Sequence, residues 1–346
     1  MQIKPYSPGI AGPWDEFVES HPEATIFHAG GWLRAVERTW GHRNFSLYAE
    51  ESGCPIGILP LFEVRASWYL PLYRSLLVST PNAVRGGIVA RNDSAHAALL
   101  AAARRLAVDL QVDYLELRGE DSIDRTLQPQ DLYVSFETPI VPDDDAMMRR
   151  FPRDIRRMIR LGIGRGLTVE SGRESLLDEF YELYAASVRA LGTPVFPRRL
   201  MANFLREFPE RTDILVARDG RRAVGAVFNF YFRETVMPYY AGVDKRYYES
   251  GISNFLYWET MRMAARRGYT RFDFGRSKRG TGAYEFKRGW RMEMRPLAYR
   301  IDLVRGSSMP SLNPTNPRLQ GLIGCWRRLP LSLTKLIGPR VVRNFP

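Results

Sequence analysis

The segment Asp273-Phe-Gly-Arg276-Ser-Lys278 sets one carboxylate and two cations close together around a glycine. A carboxylate can take a proton, and cations can steady a developing negative charge, so these three are the foremost catalytic candidates. Alternation along Phe272-Asp-Phe274 points Asp273 away from its apolar neighbours, and the strand then opens through Gly275 into a loop with Gly280 and Gly282. In open α/β sheets such strand ends are usual ligand sites. The alternative is a structural ion pair between Asp273 and Arg276. Glu285 and Lys287 in Tyr284-Glu-Phe-Lys-Arg288 either line the same cleft or face solvent from a strand. Tyr240, followed by Ala241-Gly242, is a further candidate, with a core tyrosine as its alternative. Asp244 and Asn254 are lesser candidates for substrate contact.

These residues need a frame, and the sequence writes one twice. Leu47 to Phe62 reads as two strands about a Ser52-Gly53 turn. At a constant offset of 168, Leu47, Ala49, Gly57 and Phe62 coincide with Leu215, Ala217, Gly225 and Phe230. A glycine on entering the second strand allows close backbone approach or a bulge. Each hairpin is later followed by a helix and a strand. In the first half, Ser94 to Leu110 leads into Tyr114-Leu-Glu-Leu117. In the second, Phe255, Trp258, Met261 and Ala265 recur at helical steps ahead of Phe272-Asp-Phe274. Glu116 and Asp273 fall in equivalent places. The expected fold is a duplicated α/β chain (α+β, mixed sheets). Residues 1–138 form a first, degenerate copy, 139–305 a second copy with the site, and 306–346 a tail.

Between the copies, Arg149 to Leu161 predicts a basic helix stopped by Gly162, Gly164 and Gly166. Arg153, Arg156, Arg157 and Arg160 form one stripe on it. Without acids nearby these charges repel unless an anion compensates, so Arg153 and Arg157 are read as substrate contacts, against the alternative of a solvated face.

The charge of +12 over 346 residues favours anionic partners. Two cysteines are too few for a disulfide scaffold or thiolate cluster, and four scattered histidines show no paired ligand spacing, so no metal is expected. Met1 to Tyr6 lacks the apolar run of a secretory signal, and no apolar stretch is long enough to span a bilayer. A cytoplasmic protein is expected. Residues 307–317 read as a linker. Arg318 to Arg343 contains no acid and interleaves leucines with cations, which suits peripheral contact with a membrane's inner face, docking onto the body being the alternative. Pro330 precludes one long helix there.

Phe151-Pro-Arg-Asp-Ile-Arg-Arg-Met-Ile-Arg160, Gly192-Thr-Pro-Val-Phe-Pro197 and Asp273-Phe-Gly-Arg-Ser-Lys-Arg-Gly-Thr-Gly282 together resemble the FemAB-like proteins associated with exosortase/PEP-CTERM systems. His28 to Trp32 and Gly41-His-Arg43 fit the same pattern, so the likeness covers nearly the whole chain. The resemblance implies tandem GNAT-type (acyl-CoA N-acyltransferase-like) domains and transfer of an acyl or aminoacyl group to an amine of an envelope or exopolysaccharide-related substrate. It implies Phe196 as a substrate contact and no tightly bound cofactor. The donor would be acyl-CoA or aminoacyl-tRNA, and DNA is not an expected partner. GNAT enzymes hold pyrophosphate on a helix-opening loop of the form Arg/Gln-x-x-Gly-x-Gly/Ala. Here Tyr248-Glu-Ser-Gly251-Ile-Ser253 keeps Gly251 and the small Ser253 as cofactor-binding candidates, while Tyr248 stands at the leading place. An ordinary helix start capped by Ser250 or Ser253 is the alternative. A silent scaffold or an RNA- or membrane-surface-binding protein is the second functional reading.

Overall fold

The computed structural model describes residues 1–69, 73–119, 127–305 and 317–346. The first elements are β1 (Gln2–Pro5), α1 (Ala11–Ser20), α2 (Gly30–Trp40), β2 (Arg43–Asn44), β3 (Leu47–Glu51) and β4 (Cys54–Leu59). There follow β5 (Phe62–Arg65), β6 (Ser75–Val78), β7 (Val89–Ala90), α3 (Asp93–Asp109), β8 (Tyr114–Arg118) and β9 (Gln128–Gln130). Next come β10 (Tyr133–Pro139), α4 (Asp144–Arg149), α5 (Arg153–Gly164), β11 (Thr168–Gly172), α6 (Leu177–Leu191) and α7 (Arg198–Glu207). The second hairpin is β12 (Thr212–Asp219) and β13 (Arg222–Phe232), with β14 (Thr235–Val243), α8 (Ile252–Arg266), β15 (Arg271–Asp273) and β16 (Ser277–Lys278) after it. The chain ends in α9 (Gly282–Arg288), β17 (Glu293–Pro296), β18 (Tyr299–Leu303), α10 (Pro317–Arg328) and α11 (Leu331–Val342).

The repeat is visible in the backbone. Both hairpins carry a register shift at the same place, between Ala49 and Glu50 in the first and between Ala217 and Arg218 in the second. Ala49 pairs with Gly57, and Ala217 with Gly225. Each glycine admits the helix that follows. A Cβ on Gly57 would lie 3.0 Å from Leu99 of α3, and one on Gly225 would lie 2.7 Å from Leu256 of α8. The bulge bends the strand and the missing side chain lets the helix close on it, a pair of devices needed once per copy.

The described residues form two compact units: 1–69, 73–119, 127–131, 297–305 and 340–346 in the first, and 132–296 with 317–339 in the second. These limits differ from those expected at 138 and 305, because two strands trade places. In the second unit, β10 lies antiparallel to β15, pairing Glu137 with Asp273. In the first, β18 lies antiparallel to β8, pairing Ile301 with Glu116. Each closing strand thus gains its outer neighbour from a segment that follows the other copy in sequence. Residues 307–316 of the expected linker lie outside the described residues.

The sheet of the second unit runs β11-β12-β13-β14-β15-β10-β16, with β17 also on β10. It is covered on both faces. Val227 of β13 joins Ile252, Phe255 and Leu256 of α8 in one core cluster, while its neighbours Phe228 and Phe230 meet Phe180 of α6 and Phe204 of α7. Burial on both faces is why β13 reads as a continuous apolar run. The expected single helix from Arg149 to Leu161 is two helices, since Pro152 disfavours helical geometry at Phe151 and instead opens α5. Gly162 is not its stop but lies inside it, where a Cβ would come within 2.7 Å of Phe255. Residues 284–288, expected in a strand, belong to α9, capped by the Thr281 hydroxyl.

The described part of the tail docks. Gly338 lies against Val195, Arg189 donates to the Leu329 carbonyl at 2.8 Å, and Lys335 pairs with Glu182 at 2.5 Å. Among the described residues no helix is long and apolar enough to cross a membrane.

Candidate active site

The second sheet opens at one place. β14 and β15 are parallel neighbours only where Thr235 meets Arg271 and Val236 meets Phe272, although β14 continues to Val243. Pro238 has no N–H to offer a partner, and between Phe228 and Asn229 the register on β13 shifts so that Tyr239 is an extra residue. On the other strand, the Phe274 amide turns to the Phe136 carbonyl of β10 at 3.0 Å. The strands therefore part beyond Val236.

Tyr240 stands past that parting point. It is buried, and its hydroxyl has no hydrogen-bond partner among the described residues. Burial, with Tyr239 and Tyr184 nearby, pushes its ionisation well above the ordinary tyrosine range, and the Arg276 charge opposes that shift. The phenol therefore stays protonated and is a hydrogen-bond donor. Its ring packs edge-on against Tyr184 and Phe196, each at 5.7 Å. Gly242 sets this arrangement, because a Cβ there would fall 2.4 Å from the Tyr184 amide nitrogen of α6.

The loop after β15 brings the cations. Asp273 is buried; its carboxylate accepts the Gly275 amide at 2.7 Å and the Ser135 hydroxyl of β10. Gly275 has φ +65°, a left-handed turn that glycine tolerates best. Lys287 reaches in from α9, its Nζ donating to the carbonyls of Phe274 (2.7 Å), Arg276 (3.4 Å) and Gly275 (3.5 Å). The Arg276 guanidinium lies 4.9 Å over the Tyr133 ring. Asp273 and Lys287 thus hold the turn from two sides, and Arg276, whose charge is felt at Tyr240, follows it.

Burial lowers the Lys287 ammonium to about 8, with Asp273 pulling the other way. Between about 8 and the unfolded lysine value near 10.4 the unfolded chain holds more protons, so this group makes stability rise with pH there. A Lys287→Met variant lacks that rise. Thermal melts at pH 7.5 and pH 9.5 are expected to show the wild type gaining on the variant at the higher pH; a difference independent of pH would contradict it.

Residues 148–288 match the family model of the acetyltransferase (GNAT) domain. No curated protein sequence matches the chain. Among solved structures the chain is similar to FemX, at TM-score 0.66 and 14% identity over 88% of this chain and 97% of that one. It is similar to the C-terminal domain of a putative lysylphosphatidylglycerol synthetase from Agrobacterium fabrum, at 0.55 and 12% over 86% and 92%. A tandem GNAT protein from the clavulanic acid biosynthesis pathway aligns at 0.50 and 12% over 89% and 99%. These likenesses establish the fold: mixed α+β of GNAT type, in tandem.

In the GNAT-like second unit, Asp273 and Lys287 meet at the turn that carries Arg276, and Tyr240 packs on Phe196. Lys278 lies on β16 opposite Tyr133, and burial lowers its ammonium. Glu285, two residues from Lys287 on a helix rather than a strand, is exposed and pairs with Arg288 at 2.5 Å. Asp244 caps the turn that follows β14 through the Arg246 amide and pairs with Arg246 and Arg222. Asn254 is buried in the first turn of α8. Arg153 and Arg157 are exposed on α5.

The start of α8 answers to packing. Gly251, at φ +78°, is its N-cap, and a Cβ there would fall 2.2 Å from the Met158 carbonyl of α5. Neither Ser250 nor Ser253 caps it through a side chain, and Ser250 donates instead to the Tyr247 carbonyl at 2.5 Å. In the first unit the acid matching Asp273 is occupied differently. Glu116 pairs with the buried Arg118 at 2.7 Å, which also donates to the Thr80 and Ala83 carbonyls. Sequence reasoning missed Ser135 and Tyr133, which sit on a strand assigned to the first copy. The alternation in Tyr133-Val-Ser-Phe was the available signal, but it does not say which sheet the strand joins.

Proposed function

We propose that the second unit transfers an acyl or aminoacyl group to an amine at the opening between β14 and β15. The observation that carries this reading is Tyr240, a buried donor without a partner among the described residues, placed where the sheet parts. Leaving a buried hydroxyl unpaired costs about 1–3 kcal/mol, which a bound substrate oxygen recovers. In the reaction the amine nitrogen bonds to the donor's carbonyl carbon, and the carbonyl oxygen becomes an oxyanion. The Tyr240 hydroxyl donates to that oxygen and the Arg276 charge stabilises it. As the oxyanion collapses, the bond to the leaving oxygen or sulfur breaks, and the amine's proton compensates the leaving group. Asp273 and Lys287 position the Arg276 loop, Phe196 walls the opening, and Lys278 is a further cation near it.

A charged tRNA suits the donor better than acyl-CoA. The amide end of α8, where a pyrophosphate would rest, is approached by α5 at Gly251. On α5 itself, Arg153, Arg156, Arg157 and Arg160 have no carboxylate partner among the described residues. An acceptor of envelope or exopolysaccharide biogenesis fits the sequence motifs and the fold shared with FemX and a lysylphosphatidylglycerol synthetase.

The test offers the purified protein aminoacyl-tRNA, uncharged tRNA and acyl-CoA, with an amine acceptor, and measures transfer and binding across salt. Transfer from aminoacyl-tRNA alone is expected. An Arg153→Ala/Arg157→Ala/Arg160→Ala variant should bind tRNA more weakly, and its slope of log affinity against log salt should be shallower by about 2 to 3. Tight, salt-insensitive binding of acyl-CoA with transfer from it would overturn the donor assignment. An unchanged salt slope would remove α5 from the interface.

A further inference from the structure

We infer a membrane-anchoring site on the first unit, just after β5, where Trp68 and Tyr69 seat in the interface of an anionic bilayer. The inference stands apart from the transferase reading. Trp68 is 90% exposed, and its ring meets that of the neighbouring Tyr69 edge-on at 5.7 Å. Tyr69 is itself exposed. A tryptophan left in water beside an exposed tyrosine is apolar area with no cover, and both side chains favour the headgroup layer, where an apolar ring and a polar edge are satisfied together.

The described residues around the ring pair are braced. The Ala66 amide donates to the Arg74 carbonyl at 3.2 Å, continuing the β5–β6 ladder outward. The Ser67 amide donates to the Asn344 side-chain oxygen at 2.7 Å, and Asn344 is wholly buried. The Tyr73 hydroxyl donates to the Asn344 carbonyl at 2.7 Å, and the Tyr69 hydroxyl to the Arg340 carbonyl at 2.9 Å. Arg340 and Asn344 therefore hold Ser67, Tyr69 and Tyr73, and Trp68 projects from between bonded neighbours.

The fully exposed charges around it are cations. Arg65, Arg74, Arg340 and Arg343 are all exposed. The acids beside them are engaged: Glu63 is buried and paired with Arg43 and Arg65, Glu116 is paired with Arg118, and Asp113 accepts the Arg74 amide at 2.6 Å. Cations framing exposed aromatic rings match an anionic lipid surface, where each arginine adds electrostatic attraction and the rings add apolar burial. A protein partner would be served by the rings alone; the cations select the lipid. The contact expected of the basic tail thus centres on Trp68 and Tyr69, from the other end of the sequence, with only the tail's last arginines taking part.

The test is sedimentation of the full chain with vesicles of phosphatidylcholine alone and with phosphatidylglycerol added. The wild type should pellet with the anionic vesicles and much less with the neutral ones. Trp68→Ala should weaken the anionic partition roughly tenfold or more, and Arg74→Ala or Arg343→Ala about fivefold each. These side chains lie in solvent, so the variants should keep the wild-type melting temperature. Equal partition into both vesicles, or anionic binding that Trp68→Ala leaves intact, overturns the assignment; the second result would point to the α5 arginines instead.

Discussion

Tyr240→Phe is expected to lower kcat for acyl transfer roughly a hundred- to a thousandfold, while the melting temperature stays level or rises slightly. The two halves come from one fact. The hydroxyl is buried and makes no hydrogen bond among the described residues, so removing it takes away no stabilising contact and relieves a desolvated polar atom. The ring remains, and with it the packing on Tyr184, Phe196 and Phe228. Only a group that appears during reaction can miss the hydroxyl. Steady-state kinetics with a competent donor and an amine acceptor, run beside calorimetry, checks both halves. Full activity in the variant would sink the oxyanion role. A large fall in melting temperature would show that the hydroxyl has a structural partner.

Gly242→Ala should produce the largest loss of stability. The added methyl would lie 2.4 Å from the Tyr184 nitrogen and 2.5 Å from the Leu183 carbonyl carbon, both backbone atoms of α6. A side chain can swing away from such a clash; a helix backbone cannot move without its neighbours. α6 must back off by about 1 Å to reach ordinary contact, and overpacking of this kind costs about 3 kcal/mol or more. That corresponds to a fall of about 6–12 °C for a unit of this size. Activity should fall with it, because the same helix presents Tyr184 to Tyr240 and fixes Phe196 through the Tyr181 hydroxyl. Thermal unfolding followed by calorimetry decides the matter. A shift of about 1 °C or less would mean that the helix and strand are not locked together at Gly242.

Much of the frame was legible because it is written in local chemistry. Ser52-Gly53 turns the first hairpin with positive φ at both residues, and only a few residue types take that conformation cheaply. Gly57 and Gly225 repeat at a fixed offset because each copy must bring a helix onto the same strand. The site was half legible. Asp273, Arg276 and Tyr240 stand out by type and place, but Glu285 and Lys287 are indistinguishable along the chain. Thr281, capping α9, turns that segment into a helix, so one of the two enters the loop and the other faces water.

The sequence by itself determined the duplicated α+β plan, the glycines that admit its helices and the basic stripe on α5. Each depends on propensities and spacings within a few residues of one another. Only the tertiary structure decided that β10 serves the second sheet and β18 the first, that Ser135 therefore meets Asp273, and that α5 closes on Gly251. Strand partnership rests on backbone hydrogen bonds, which every residue but proline can form, so pairing leaves little mark on side-chain identity. Close approach of two backbones is likewise a property of the packed whole. A glycine in the chain permits it without saying which element will arrive.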